Sequence, residues 1–176
     1  MTSHIEAAIT QMLPHLDDPS REGLVNTPKR YAKFLAEFLE PQELKMTVFK
    51  SEGYEEMIIQ SAIPFYSLCE HHLIPFFGTG TIAYLPGKKI VGLSKLARTL
   101  NFYSHRLQNQ ERITLQVAEH ISNTVNPKGV GVILKARHLC MEMRGVQKPA
   151  ETTTSYLSGK FKADPATRGE FLRFTK

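Results

Sequence analysis

The chain has 176 residues, 41% hydrophobic and 22% charged, a balance that fits one soluble globular core and excludes a disordered or membrane-embedded chain. Its net charge of +5 comes without a dense lysine/arginine run, Lys29-Arg30 with Lys33 being the nearest, which argues against nucleic acid and leaves room for a small anionic partner. The amphipathic start carries Glu6, Asp17 and Asp18 and does not read as a signal or transit peptide, so the two cysteines are expected to be reduced thiols in a cytoplasmic protein.

Ser3 with Glu6 forms a capping box, followed by Ile5, Ala8, Ile9, Met12, Leu13 and Leu16 at helical spacing. Asp17 to Gly23 reads as a loop. Thr27-Pro28 supplies an N-cap and a first-turn proline for a second helix, with Tyr31, Phe34, Leu35, Phe38 and Leu39 as its apolar stripe. Residues 1–43 are therefore expected to be a helical region, and 44–176 a separate domain. There, Met46–Ser51, Met57–Leu68 (interrupted near Pro64) and Phe76–Leu85 read as strands. Two helices follow, one marked by Leu93, Leu96, Ala97, Leu100 and Tyr103. The other is marked by Ile113, Val117, Ile121 and Val125 and stops at Asn126-Pro127. Val130–Cys140 and Thr152–Phe161 read as further strands. The order predicts an α+β fold with both helices on one face of an antiparallel sheet. Sheet edges and a face left uncovered point to oligomerisation.

The two cysteines lie in Cys69-Glu70-His71-His72 and His138-Leu139-Cys140. Cys69 and His72, three apart, can reach one metal ion from a turn, and strand alternation puts His138 and Cys140 on one face. Three protein ligands around zinc leave a position for water, the arrangement of a catalytic site. The competing readings are inert buried thiols with ordinary polar histidines, or a closed four-ligand structural zinc site. Lys95 and Arg98 share a helix face with Ser94 at the helix start, which makes either a phosphate-binding surface or a solvated charged face. Gln110-Glu111 opens the next helix. Its carboxylate serves either the helix dipole or the paired N–H donors of a guanine. Arg144 adds a cation beyond the proposed metal strand.

Together these segments resemble the GTP cyclohydrolase I family from about Asn26 onward. The resemblance rests on Cys69-Glu70-His71-His72-Leu73-Ile74-Pro75-Phe76, Gly92-Leu93-Ser94-Lys95-Leu96-Ala97-Arg98, Gln108-Asn109-Gln110-Glu111-Arg112, and His138-Leu139-Cys140-Met141 with Arg144-Gly145-Val146. It implies a zinc ion on Cys69, His72 and Cys140, and acid/base roles for His71 and His138. Gln110 and Glu111 would hold the guanine, and Ser94, Lys95, Arg98 and Arg144 would line the ribose and triphosphate end. Arg30 and Lys33 would reach the triphosphate from a neighbouring subunit. The implied architecture is the tunnelling fold, with sheets closing into a five-fold barrel and two rings stacking into a homodecamer. Ahead of Asn26 the chain looks shorter than many members, and Gln147–Thr152 departs from one common form of the motif.

The implied reaction is zinc-dependent hydrolysis of GTP at C8 with loss of formate, then Amadori rearrangement and closure to 7,8-dihydroneopterin triphosphate. His138 would protonate N7, offsetting the lost aromaticity, and His71 would protonate the ribose ring oxygen. Histidine suits both tasks because its pKa lies near working pH. The rival readings are another tunnelling-fold enzyme, such as a deazapurine nitrile reductase, and a non-enzymatic zinc module that binds nucleotides.

Overall fold

The structure is a computed structural model and describes residues 2–40 and 43–175. It divides into two compact units, Met1–Pro41 and Gln42–Lys176. The first unit contains α1 (Thr2–Met12), a 3-10 turn at Leu13–His15, and α2 (Thr27–Leu39). Ser3 lies inside the first turn of α1, not at its cap. Asn26 takes the cap position of α2, with Pro28 in the first turn. The aromatic stripe of α2 forms two tilted ring pairs, Tyr31–Phe34 and Phe34–Phe38, each with centroids 5.8 Å apart.

The second unit is built on a five-stranded sheet of order β5-β2-β3-β6-β7. Its strands are β2 (Ile58–Cys69), β3 (Pro75–Leu85), β5 (Leu107–Gln108), β6 (Gly129–His138) and β7 (Glu151–Leu157). Pairing is antiparallel except for β5, which runs parallel to β2 for two residues. A separate antiparallel pair joins β1 (Val48–Lys50) to β4 (Lys89–Val91). The irregularity in β2 falls at Ser61–Ala62, where Ala62 adopts φ 53°, while Pro64 keeps its place opposite Thr79. The interruption expected near Pro64 thus falls just ahead of it.

Helices α3 (Ser94–Ser104) and α4 (Gln110–Val125) cover one face of the sheet. Leu96 and Leu100 of α3, and Ile113, Val117, Ala118 and Ile121 of α4, are fully buried against Ile82, Val130, Val132 and Leu134. Each leucine, isoleucine or valine among them contributes about 1.5–3 kcal/mol of burial. A Cβ at Gly80 would lie 2.6 Å from Leu100 Cδ2 and 2.8 Å from Leu134 Cδ2, so glycine there lets α3 close on the sheet. Helix α4 ends where Asn126 turns left-handed and its N–H reaches the Ser122 carbonyl, with Pro127 preventing continuation.

The opposite face carries the C-terminal helices α6 (Lys160–Ala163) and α7 (Pro165–Arg173), which the periodicity reading did not anticipate. Gly159, at φ 52°, ends β7 early and redirects Phe161 into α6. Asp164 caps α7, accepting from the backbone N–H groups of Ala166 and Thr167 at 3.1 Å. Phe161 and Phe171 meet edge to face, centroids 5.3 Å apart, and pack with Ala83 and Ile133. Phe171 is wholly buried in this small cluster, so Phe171→Ala is expected to cost about 3–5 kcal/mol. A matching fall in the urea midpoint at constant slope checks this; an unchanged midpoint contradicts it.

Candidate metal centre and active site

Cys69 ends β2, buried beneath the sheet edge, and the chain reverses within the next residues into β3. The His72 and Leu73 N–H groups both donate to the Cys69 carbonyl, and the Cys69 N–H donates to that of Ile74. Leu73 takes φ 56° to complete the reversal. The tight turn carries His72 back over Cys69, leaving Nδ1 3.6 Å from Sγ. His71 Nδ1 lies 3.7 Å from the same sulfur, on an exposed ring.

The second sulfur arrives differently from expectation. Strand β6 ends at His138, and Cys140 sits in the short helix α5 (Leu139–Glu142). The ladder stops there because His138 pairs with Phe76, and β3 begins one residue earlier at Pro75, which has no N–H to offer a further rung. Alternation therefore does not extend to Cys140; the helical turn delivers its side chain instead. Ligand atoms of Cys69, His72 and Cys140 all lie within 4.8 Å of one another, and no other His, Cys, Asp or Glu among the described residues joins the group.

Both cysteines are free thiols. Burial, and then the adjoining Cys69, push the Cys140 thiol above its usual pKa, with the Arg144 charge acting in the opposite direction. Two sulfurs crowded together with an imidazole form a donor set that a divalent, borderline-soft cation relieves, since it favours thiolate over thiol. The residues present fit a metal ion.

His138 lies beside this cluster on the helix-facing side of β6. Its ring stacks on buried Phe76 at 4.6 Å with 5° between planes. Its Nε2 lies 2.8 Å from Gln110 Oε1. Gln110, almost fully buried at the start of α4, donates from Nε2 to the carbonyls of Leu134 and Thr152, each at 3.0 Å. Burial lowers the His138 pKa, and the charges of Glu111 and Glu142 counter that. Glu111 itself is exposed.

A polar clamp that the sequence reading missed ties the metal turn to α4. The Glu70 carboxylate accepts from both terminal nitrogens of Arg112 and from Asn109 Nδ2 at 3.1 Å. Asn109 also caps α4, its Oδ1 accepting from the Arg112 N–H at 2.8 Å. The Glu70 N–H donates to the Gln108 carbonyl at 3.0 Å. Arg112 holds the Glu70 carboxyl below its usual pKa. Both partners stood inside quoted motifs, but nothing in a linear chain pairs residues this far apart.

The remaining expected residues are distributed as follows. Ser94, Lys95 and Arg98 open α3, with Lys95 half-buried and the other two exposed. Arg144 is exposed just after α5. Arg30 and Lys33 belong to the first unit, exposed on α2, where Lys33 Nζ approaches Glu37 Oε1 at 3.6 Å.

Comparison with known proteins places this geometry in a family. The profile described as GTP cyclohydrolase I matches residues 5–176, beginning well ahead of Asn26. Curated relatives named GTP cyclohydrolase 1 include one from Chlorobium chlorochromatii, 49% identical over 98% of this chain and 81% of its own length. Another, from Sulfurihydrogenibium sp., is 51% identical over 96% of this chain and 91% of its own length. A third, from Aquifex aeolicus, is 51% identical over 91% and 88% respectively. Among solved structures, the apo archaeosine synthase QueF-Like is similar with TM-score 0.46 and 15% identity, covering 56% of this chain and 91% of that one, a likeness too low to carry an argument. With a matching profile across nearly its whole length and relatives at about half identity, the chain belongs to the GTP cyclohydrolase I family.

Proposed function

We propose that the protein hydrolyses and rearranges GTP to 7,8-dihydroneopterin 3'-triphosphate with release of formate, using a zinc ion held by Cys69, His72 and Cys140. The observation that carries this reading is the convergence of those three donors within 4.8 Å, beside a half-buried histidine, in a chain of this family. Held there, zinc would supply Lewis acidity and lower the pKa of the hydrolytic water. A reductase of related fold would need a metal-free cysteine nucleophile, and the crowding of both thiols against His72 favours the metal.

The chain's own residues do the rest. Glu111 accepts from the ring N–H and exocyclic amine of guanine, two donors side by side that match one carboxylate. His138 delivers a proton to N7, which offsets the aromaticity lost as water adds at C8. His71, exposed on the metal turn, protonates the ribose ring oxygen and opens the sugar for rearrangement. Ser94, Lys95 and Arg98 at the α3 start, with Arg144, hold the ribose and triphosphate through amides and cations. The expected guanine contact from Gln110 is limited to its oxygen, because the structure has both amide hydrogens on backbone carbonyls.

The unit from 44 to 176 is read as a tunnelling-fold catalytic domain and 1–43 as its helical extension. Strand β7 has no partner on its outer side among the described residues, which supports edge-to-edge closure of sheets from several copies into a five-fold barrel, two of which stack as a decamer. Active sites between subunits would then let Arg30 and Lys33 of a neighbour meet the triphosphate. No helix among the described residues is long and apolar enough to cross a membrane. A cytoplasmic location with no nucleic-acid partner suits a nucleotide-consuming enzyme with reduced thiols.

The direct test incubates purified, metal-analysed protein with GTP and follows formate together with pterin absorbance. Equal formation of both is expected, and Cys140→Ser is expected to lose zinc and formate together; formate release by the zinc-free variant contradicts the reading. Glu111→Ala is expected to keep its zinc while kcat/KM for GTP falls about 10- to 100-fold, the worth of hydrogen bonds to a charged group. Arg112→Met, which releases the Glu70 clamp, is expected to weaken zinc about tenfold in a chelator competition. An unchanged zinc affinity would show that the turn holds itself.

A further inference from the structure

We propose that a cavity on the sheet face opposite α3 and α4 is a binding site for a phosphate-class oxyanion, separate from the metal centre. The cavity measures about 160 Å³, and its polar lining is Ser61, Thr79, Thr81, Lys135 and Thr175. The register explains why these side chains meet. Thr79 pairs with Lys135 across β3–β6, and Thr81 with Ile133, so all four share the face turned away from Ile82, Leu134 and the helices. On the other side of β3, Gln60 pairs with Ile82 and Ile63 with Gly80, leaving Ser61 and Ala62 together opposite Thr81. The extra residue makes a β-bulge, which sets both residues at the cavity rim. Ala62 takes φ 53° there, a conformation that residues with a Cβ rarely adopt and that recurs at ligand clamps.

The chemistry of the lining selects the occupant. Thr81 is 8% exposed, yet its hydroxyl bonds to no described residue and is not sealed from the cavity. The Ser61 and Thr79 hydroxyls likewise have no partner among the described residues. Lys135 is half-buried, and its Nζ donates to the Thr175 carbonyl at 2.7 Å. That bond fixes the ammonium and leaves it two further hydrogens to donate. Lys135 forms no ion pair among the described residues, and no carboxylate lines the cavity. A half-buried ammonium without a counter-charge, beside three idle hydroxyls, calls for acceptors that bring negative charge. The same ammonium excludes a metal cation. Donors from β2, β3 and β6 approach from three strands, which suits the several oxygens of phosphate better than a planar carboxylate. Apolar Ile133 and Phe174 complete the wall, and charge-assisted bonds beside them are stronger than in open water.

Titration of the zinc-loaded protein with inorganic phosphate provides the test, with chloride at equal ionic strength as the control. A saturable rise in Tm is expected with phosphate and not with chloride. Lys135→Met is expected to weaken phosphate binding about 10- to 100-fold, and Thr81→Val about 3- to 10-fold, the worth of a charged and a neutral hydrogen bond. Both variants are expected to keep their zinc. A rise that is unchanged in both places the anion elsewhere and overturns the proposal, as does no rise in the unsubstituted protein. Phenyl phosphate as a second ligand separates a free ion from the end of a larger molecule, and loss of either binding event in Lys135→Met supports the site. Should a variant fail to fold, a crystal of the unsubstituted protein grown with phosphate decides. Anion density within hydrogen-bond reach of Lys135 Nζ and Thr81 Oγ1 is the expected result, and a cavity without it overturns the proposal.

Discussion

The register of three strands governs everything at this site. Leu68 pairs with Pro75 across the β2–β3 reversal, and Phe76 pairs with His138 across β3–β6. Those two rungs bring the turn bearing Cys69 and His72 alongside the end of β6, where the chain leaves the sheet and α5 presents Cys140. A slip of one residue would turn His138 to the opposite face of the sheet, away from Gln110 and α4. The buried helix face, with Leu134 and Ala136 beneath α3 and α4, makes such a slip costly. Core packing thus holds the donors in place without any disulfide or long-range loop.

The polar interactions at the site form two layers with different jobs. Glu70, Asn109 and Arg112 lie toward solvent and join the metal turn to the first turn of α4, which also carries Glu111. Gln110 and His138 lie inward, where an unmade hydrogen bond is far more expensive than at the surface. The outer layer therefore tolerates water and ionic strength, while the inner one depends on every partner being present. Glu111 and His71 are both exposed to solvent. Half-buried His138 has its pKa lowered by desolvation, against which the charges of Glu111 and Glu142 act.

Much of this was legible in the chain. The apolar spacing of α3 and α4 predicted a helical layer on one face of the sheet, and the structure puts Val130, Val132, Leu134 and Ala136 beneath it, with His138 in step. Alternation failed at Cys140 because a ladder lasts only as long as its partner strand, and β3 begins at Pro75. Strands β4 and β5, three and two residues long, are too short to carry a period. Helices α6 and α7 were missed although Asp164-Pro165 is a legible start signal, since Gly159 interrupts what otherwise reads as strand. The burial of Gln110 was invisible because a polar residue at a helix start is ordinarily solvated, and only the carbonyls of two distant strands make it otherwise.

The central claim is that two sulfurs and one imidazole converge on a metal that keeps room for solvent. Zinc K-edge X-ray absorption on the zinc-loaded protein tests it most directly. The account predicts a shell of two sulfurs, one histidine nitrogen and a light atom from solvent, with one sulfur lost in Cys69→Ser. A shell filled by four protein donors, or zinc bound with no sulfur at all, would contradict it.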